Sequence, residues 1–148
     1  MVIRLSVRKL VDLDALQAGI SLPLLRIVTT VRLLTSAGPS GPREAIIDTG
    51  SPVSLIPHQA WSEASVEFLT QTSLPIYGIG GTSESAIRGR VGRLALTIED
   101  RERSSPIIET LAYLGDDDRA PLLLGCEGIL TRAILKTNLA ALEASLEF

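Results

Sequence analysis

The sequence predicts an all-β fold with one or two short helices, and three observations carry that prediction. Residues 24–34 alternate apolar and β-branched positions with polar ones at a period of two. Short apolar runs recur along the rest of the chain, separated by turns written in Gly, Pro, Ser and Asp. Only two stretches, one after Pro57 and one after Gly125, read as helical. With 148 residues, of which 45% are hydrophobic and 21% charged, residues 1–148 read as a single domain. A chain of that length buries roughly 68–70% of its unfolded surface on folding.

The elements follow in order. Residues 1–10 alternate like a strand and carry Arg4, Arg8 and Lys9, which is not the layout of a secretory signal. In residues 24–34, Leu25, Ile27, Thr29, Val31 and Leu33 take one side and Arg26, Thr30 and Arg32 the other. The segment 37–42, AGPSGP, is a turn, and Ala45, Ile46 and Ile47 make a short strand running into Asp48-Thr49-Gly50. Residues 53–56 form another strand. Pro57 then opens a helix through Trp61, since proline in a first helical turn costs no hydrogen bond. Residues 74–88 hold a glycine cluster between two β-like arms, a hairpin. Val91, Leu94, Leu96 and Ile98 belong to the next strand and residues 106–114 to another. A polar turn at 115–119 precedes the buried strand Leu122-Leu123-Leu124, which ends at Gly125 and leads into a helical stretch at 127–133.

Counts of single residue types exclude several chemistries. One cysteine, Cys126, allows no intramolecular disulfide and points away from an oxidising compartment, so a cytoplasmic location is expected. One histidine, His58, cannot complete a four-ligand structural zinc site with one cysteine. Histidine-based nucleophilic catalysis would have to run through His58 alone. The net charge of −3 gives no global pull toward nucleic acid or an anionic membrane, and no apolar stretch reaches the ~20 residues of a spanning helix. Carboxylates are the plentiful titratable groups.

Asp48-Thr49-Gly50-Ser51 is the informative string. An Asp-Thr-Gly triplet arises by chance in roughly a few per cent of chains this long, so its context decides. Here the carboxylate ends one hydrophobic strand and precedes another, an awkward place for Asp unless backbone donors hold it. An Asx turn capping a hairpin is the bland reading.

The sequence resembles the retroviral-type (retropepsin-like) aspartic proteases, single-domain members of the pepsin clan, over roughly residues 24–133. Ala45-Ile46-Ile47-Asp48-Thr49-Gly50-Ser51 is similar to their catalytic loop, Tyr77-Gly78-Ile79-Gly80-Gly81 to the glycine-rich flap tip, and Leu122-Leu123-Leu124-Gly125 to the hydrophobic element under the loop. The resemblance implies a closed β-barrel with a flap hairpin and an aspartic endopeptidase acting on polypeptide, with no metal or cofactor. Such chemistry needs two carboxylates sharing one proton. The sequence holds one triplet, so the second carboxylate comes from another chain and the protein is expected to be a homodimer.

Roles carry over by position. Asp48 is the catalytic carboxylate, and Thr49 bonds across the dimer axis. Gly50 lets its N–H approach the carboxylate where a β-carbon would hinder. Ser51 adds a hydroxyl hydrogen bond to that carboxylate. Tyr77, Ile79, Gly80 and Gly81 close over substrate as a flap, and Leu123 and Leu124 line or support an apolar subsite. The family's barrel also favours a hairpin over residues 134–138 and 144–148, although Leu139, Leu142 and Leu146 fit one helical face as well.

Two positions depart from the family pattern. Many viral members pair an Asp two residues after the motif glycine with an Arg after the later glycine; here those positions are Pro52 and Cys126. Pro52 has no N–H to clamp a peptide, which leaves a catalytically weak peptide- or protein-binding module as the alternative. Other polar features read as structural. His58 belongs to a helix end, Cys126 is a buried free thiol, and Trp61 is a helix anchor. Arg88, Arg90, Arg93, Arg101 and Arg103 are solvated residues, and Asp116-Asp117-Asp118 is a turn whose acids do not converge. Gly78-Ile79-Gly80-Gly81 is no dinucleotide fingerprint, because Ser83 replaces its third glycine.

Overall fold

The computed structural model describes residues 1–76 and 86–148. In chain order the strands are β1 (Val2–Val11), β2 (Pro23–Thr35), β3 (Gly38–Pro39), β4 (Arg43–Ile47), β5 (Ser54–Ile56), β6 (Glu67–Phe68), β7 (Leu74–Ile76), β8 (Ile87–Glu99), β9 (Ile108–Gly115), β10 (Leu123–Leu124), β11 (Ile134–Asn138) and β12 (Glu143–Glu147). Helix α1 (Leu13–Gln17) lies between β1 and β2, and α2 (His58–Trp61) follows β5. No helix among the described residues is long and apolar enough to cross a membrane.

Two long strands close the barrel by changing partners along their length. On one edge β2 pairs with β1 through residues 23–28 and then with β8 through residues 30–33; on its other edge it pairs with β4. The ring runs β2–β4–β10–β5–β9–β8 and back to β2, six strands with no edge of its own. The second arm of the predicted hairpin and the strand after it are one continuous element, β8, which leaves β7 at Gly89 and ends on β2. The hairpin arms pair as expected, Leu74 opposite Gly89 and Ile76 opposite Ile87.

Inside the ring lies the main core, with Val31, Leu33, Ile47, Ile56, Leu96, Ile98, Leu114 and Leu124 all buried. A second, smaller cluster lies on the other side of β5 and β10 and joins Leu55, Ile76, Ile87, Ala120 and Leu123, with Ile46 and Tyr113 packed against it. Strands β5 and β10 are therefore covered on both faces. That explains why residues 122–124 read as an unbroken leucine run and not as an alternation.

The tail is a hairpin, as the barrel required. β11 pairs with β12, and β12 pairs with β1 so that Leu146 lies opposite Ile3. Both side chains are fully buried, which brings the tail into the main core. Arg4 N–H donates to the Asp100 carboxylate at 2.8 Å, tying β1 to the β8–β9 turn. With the Glu102 amide, that bond holds the Asp100 carboxyl below the usual carboxylate range. Two elements have no forerunner in the sequence reading. Helix α1 is started by Asp12, whose carboxylate accepts from Ala15 N–H at 2.9 Å, and β6 is only two residues long.

If the tail belongs to the core, truncating it costs what a barrel residue costs. Leu146→Ala should destabilise the protein by about 3 kcal/mol in urea unfolding. A loss below about 1 kcal/mol would mean that the hairpin is only appended to the barrel.

Candidate active site

Asp48 is placed by three segments at once. Strand β4 buries Ala45 and Ile47 in the main core and delivers Asp48 at its end. The backbone then crosses over β10 and returns as β5, so that β10 lies between the two arms, parallel to β4 and antiparallel to β5. Asp48 N–H donates to the Leu124 carbonyl at 2.9 Å, and Ile46 N–H to the Leu122 carbonyl at 2.9 Å.

The far side of the loop is held in the same way. Cys126 N–H donates to the Ser51 carbonyl and Glu127 N–H to the Pro52 carbonyl, both at 2.9 Å. Gly125 N–H donates to the buried Ser54 hydroxyl at 3.1 Å. These backbone bonds stand where an Asp–Arg pair was missed, so the loop is anchored without charge. Gly125 has to be glycine, because a β-carbon there would lie 2.5 Å from the Val53 carbonyl group.

The turn after it is braced on β9 and is not the helix expected at 127–133. Within residues 126–130, Glu127 is extended and Gly128 has φ +73°, which breaks any regular helix. Glu127 takes that shape because its carboxylate accepts from Leu111 N–H at 2.7 Å and from the Thr110 hydroxyl at 3.1 Å.

The carboxylate itself is half-buried. Gly50 N–H donates to its Oδ1 at 3.0 Å, and its other oxygen has no partner among the described residues. Thr49 and Gly50 are exposed, and the Thr49 hydroxyl makes no hydrogen bond among the described residues. One carboxylate held this way can accept or give a proton, but it cannot do both at once.

Several expected roles change. Ser51 does not reach the carboxylate: its hydroxyl donates to the Val53 carbonyl at 2.6 Å and pins the turn. A β-carbon on Gly50 would meet Asp48 Oδ1 at 3.4 Å, an ordinary contact, so nothing among the described residues demands glycine there. Leu124 is fully buried in the main core and cannot line a subsite, while Leu123 faces the second cluster. Tyr77, Ile79, Gly80 and Gly81 lie outside the described residues. Cys126 is only partly buried, with its thiol 3.7 Å from the Thr49 carbonyl.

The second cluster was missed, yet alternation along β4 points to it. Ile46 lies two residues before Asp48 and so shares its side of the strand. Leu55, Leu123, Ile76, Ile87 and Ala120 extend that apolar floor beneath the hairpin arms. Remaining polar candidates are structural, as read. Trp61 donates its Nε1–H to the Gly115 carbonyl and packs edge-on against His58 and Phe68. The three consecutive acids diverge: Asp116 accepts from Ser73, Asp117 from Arg119 and Asp118 from the Gln59 amide.

Neither a protein-family model nor a curated protein matches the sequence. The solved structure of EIAV protease complexed with the inhibitor HBY-793 matches over 68% of this chain and 81% of that one, at 19% identity and a TM-score of 0.38. So slight a likeness assigns no family.

The two glycines of the site should behave oppositely. Gly125→Ala should cost about 3 kcal/mol, because two backbone segments must part to admit the methyl group. Gly50→Ala should leave the stability of the single chain, read at a concentration where the wild type is monomeric, within about 0.5 kcal/mol of the wild type. Equal losses in chemical denaturation would contradict this packing.

Proposed function

We propose that this chain is a retropepsin-like aspartic endopeptidase, one domain spanning residues 1–148, and that two copies share a single active site. The observation that carries the reading is the outward-facing half-site. Asp48 is held at a crossover loop by a backbone clamp, its second oxygen and the Thr49 hydroxyl have no hydrogen-bond partner among the described residues, and one carboxylate is present where the chemistry needs two. In the homodimer, one Asp48 is ionised and activates water while its mate is protonated and hydrogen-bonds to the scissile carbonyl. Attack gives a tetrahedral diol, and protonation of the leaving amine breaks the C–N bond. Neither metal nor cofactor takes part.

Gly50 fits this arrangement, since the described residues of its own chain leave room for a β-carbon and an approaching partner would exclude one. Ile46, half-buried, supplies apolar surface beside the dyad for a peptide side chain, and the buried Leu123 supports it from beneath. The flap is assigned to residues 77–81 by their sequence.

A second reading has an observation of its own. Peptide substrates are gripped through backbone hydrogen bonds, and Pro52 offers neither half of one. It has no N–H, and its carbonyl is occupied by Glu127 N–H. A dimer that binds peptide weakly or turns it over slowly is consistent with that.

Digestion of a peptide library, with and without a statine-type inhibitor, separates the two readings. Wild-type protein should cleave at defined sites and Asp48→Asn should lose at least about 1,000-fold in kcat, with fold and dimer unchanged. Inhibitor-sensitive peptide binding without cleavage would favour the second reading. Full activity in Asp48→Asn would overturn the first.

A further inference from the structure

The turn of the β1–β2 hairpin carries an apolar surface that the fold leaves uncovered. Leu13, Leu16, Ile20, Leu22, Leu24 and Leu25 are between 36% and 70% exposed. Between Lys9 and Arg26 the only charged residues are Asp12 and Asp14, and Asp12 is engaged in capping α1. Six such side chains present on the order of 600 Å² per chain, approaching the ~800 Å² per partner of a standard interface. Depletion of charge around aliphatic residues is the composition of an interface centre.

Strand register places this surface beside Asp48. β2 is antiparallel to β4 with Val28 opposite Ile46, so Arg26 comes abreast of Asp48 and Leu24 and Leu25 lie beyond it. At ~3.4 Å per residue along a strand and ~4.8 Å between strands, Leu24 is on the order of 10 Å from the Asp48 row. β1 then runs back the other way. Ser6 is level with Val28, and Val2 lies further from Asp48, where it pairs with β12.

We propose that the β1–β2 turn, residues 13–25, is the principal contact between two copies of this chain, flanking their paired Asp48 loops. The inference rests on the shared-dyad reading, which requires a second copy at the exposed face of Thr49 and Gly50. A two-fold axis between the loops places each copy's turn beside the shared face, where its apolar patch packs against the second copy. The pairing of β1 with β12 within one chain leaves the opposite end of the molecule closed. The free edge at β11, where Ile134 is 60% exposed, is the rival contact.

Sedimentation equilibrium of the full chain tests the proposal with Leu13→Asp, Leu16→Lys and Ile134→Asp. An acid at the first helical position and a base in the last turn both suit α1, so the hairpin variants should fold, as an unchanged circular dichroism spectrum would show. Wild type and Ile134→Asp should be dimeric. Each hairpin variant should raise the dissociation constant by at least about 30-fold, since a two-fold interface loses the leucine twice. A folded hairpin variant that dimerises like wild type overturns the proposal, and if it is also active, the shared dyad stands without it. A monomeric wild type, or loss of dimer only in Ile134→Asp, overturns the proposal too. A hairpin-dependent dimer without Asp48-dependent cleavage supports this interface and instead defeats the protease reading.

Discussion

The site depends on the close approach of Gly125 to Val53. Two backbone segments meet there at a distance that no side chain survives, and this contact lets β10 lie between β4 and β5. Everything that fixes Asp48 is a consequence of that insertion. The amide before the carboxylate finds the Leu124 carbonyl, and the loop beyond it is tied by Cys126 and Glu127. A loop held by backbone bonds to a strand that is buried on both faces has little freedom to relax. That suits the proposed pairing of this carboxylate with its counterpart in a second chain, which needs fixed geometry.

The same insertion divides the molecule's apolar side chains into two bodies. Leu124 and Ile56 belong to the barrel interior, whereas Leu123 and Leu55 face the hairpin arms on the side of Asp48. Adjacent residues thus serve stability and the site separately. The polar residues of the loop divide in the same way. Ser51 and Ser54 are consumed in holding the turn, and Thr49 and Gly50 are left to face outward.

Much of this was legible in the residues. Alternation exposed β2, glycine and proline marked the turns, and Asp-Thr-Gly between two apolar strands marked the loop between β4 and β5. Other features were not, for identifiable reasons. Leu123 and Leu124 look alike in sequence, and only the two-sided pairing of β10 sends them to different faces. The turn at residues 126–130 reads as helical because Glu127 and Leu130 are good helix formers. The buried-edge bonds from Leu111 and Thr110 to Glu127 outweigh that propensity. Ser51 was assigned to the carboxylate by position alone, but the Val53 carbonyl lies nearer to its hydroxyl. α1 is five residues long and left too short a period to see.

The central claim is that one active site is built from two chains, each giving one Asp48. It is tested most directly by mixing wild-type protein with the Asp48→Asn variant, allowing subunits to exchange, and measuring peptidase activity against the wild-type fraction f. Random pairing leaves f² of the dimers with both carboxylates, so an equal mixture should keep about a quarter of full activity. A linear dependence, with half the activity kept after verified exchange, would show that each chain carries a complete site and would contradict the account.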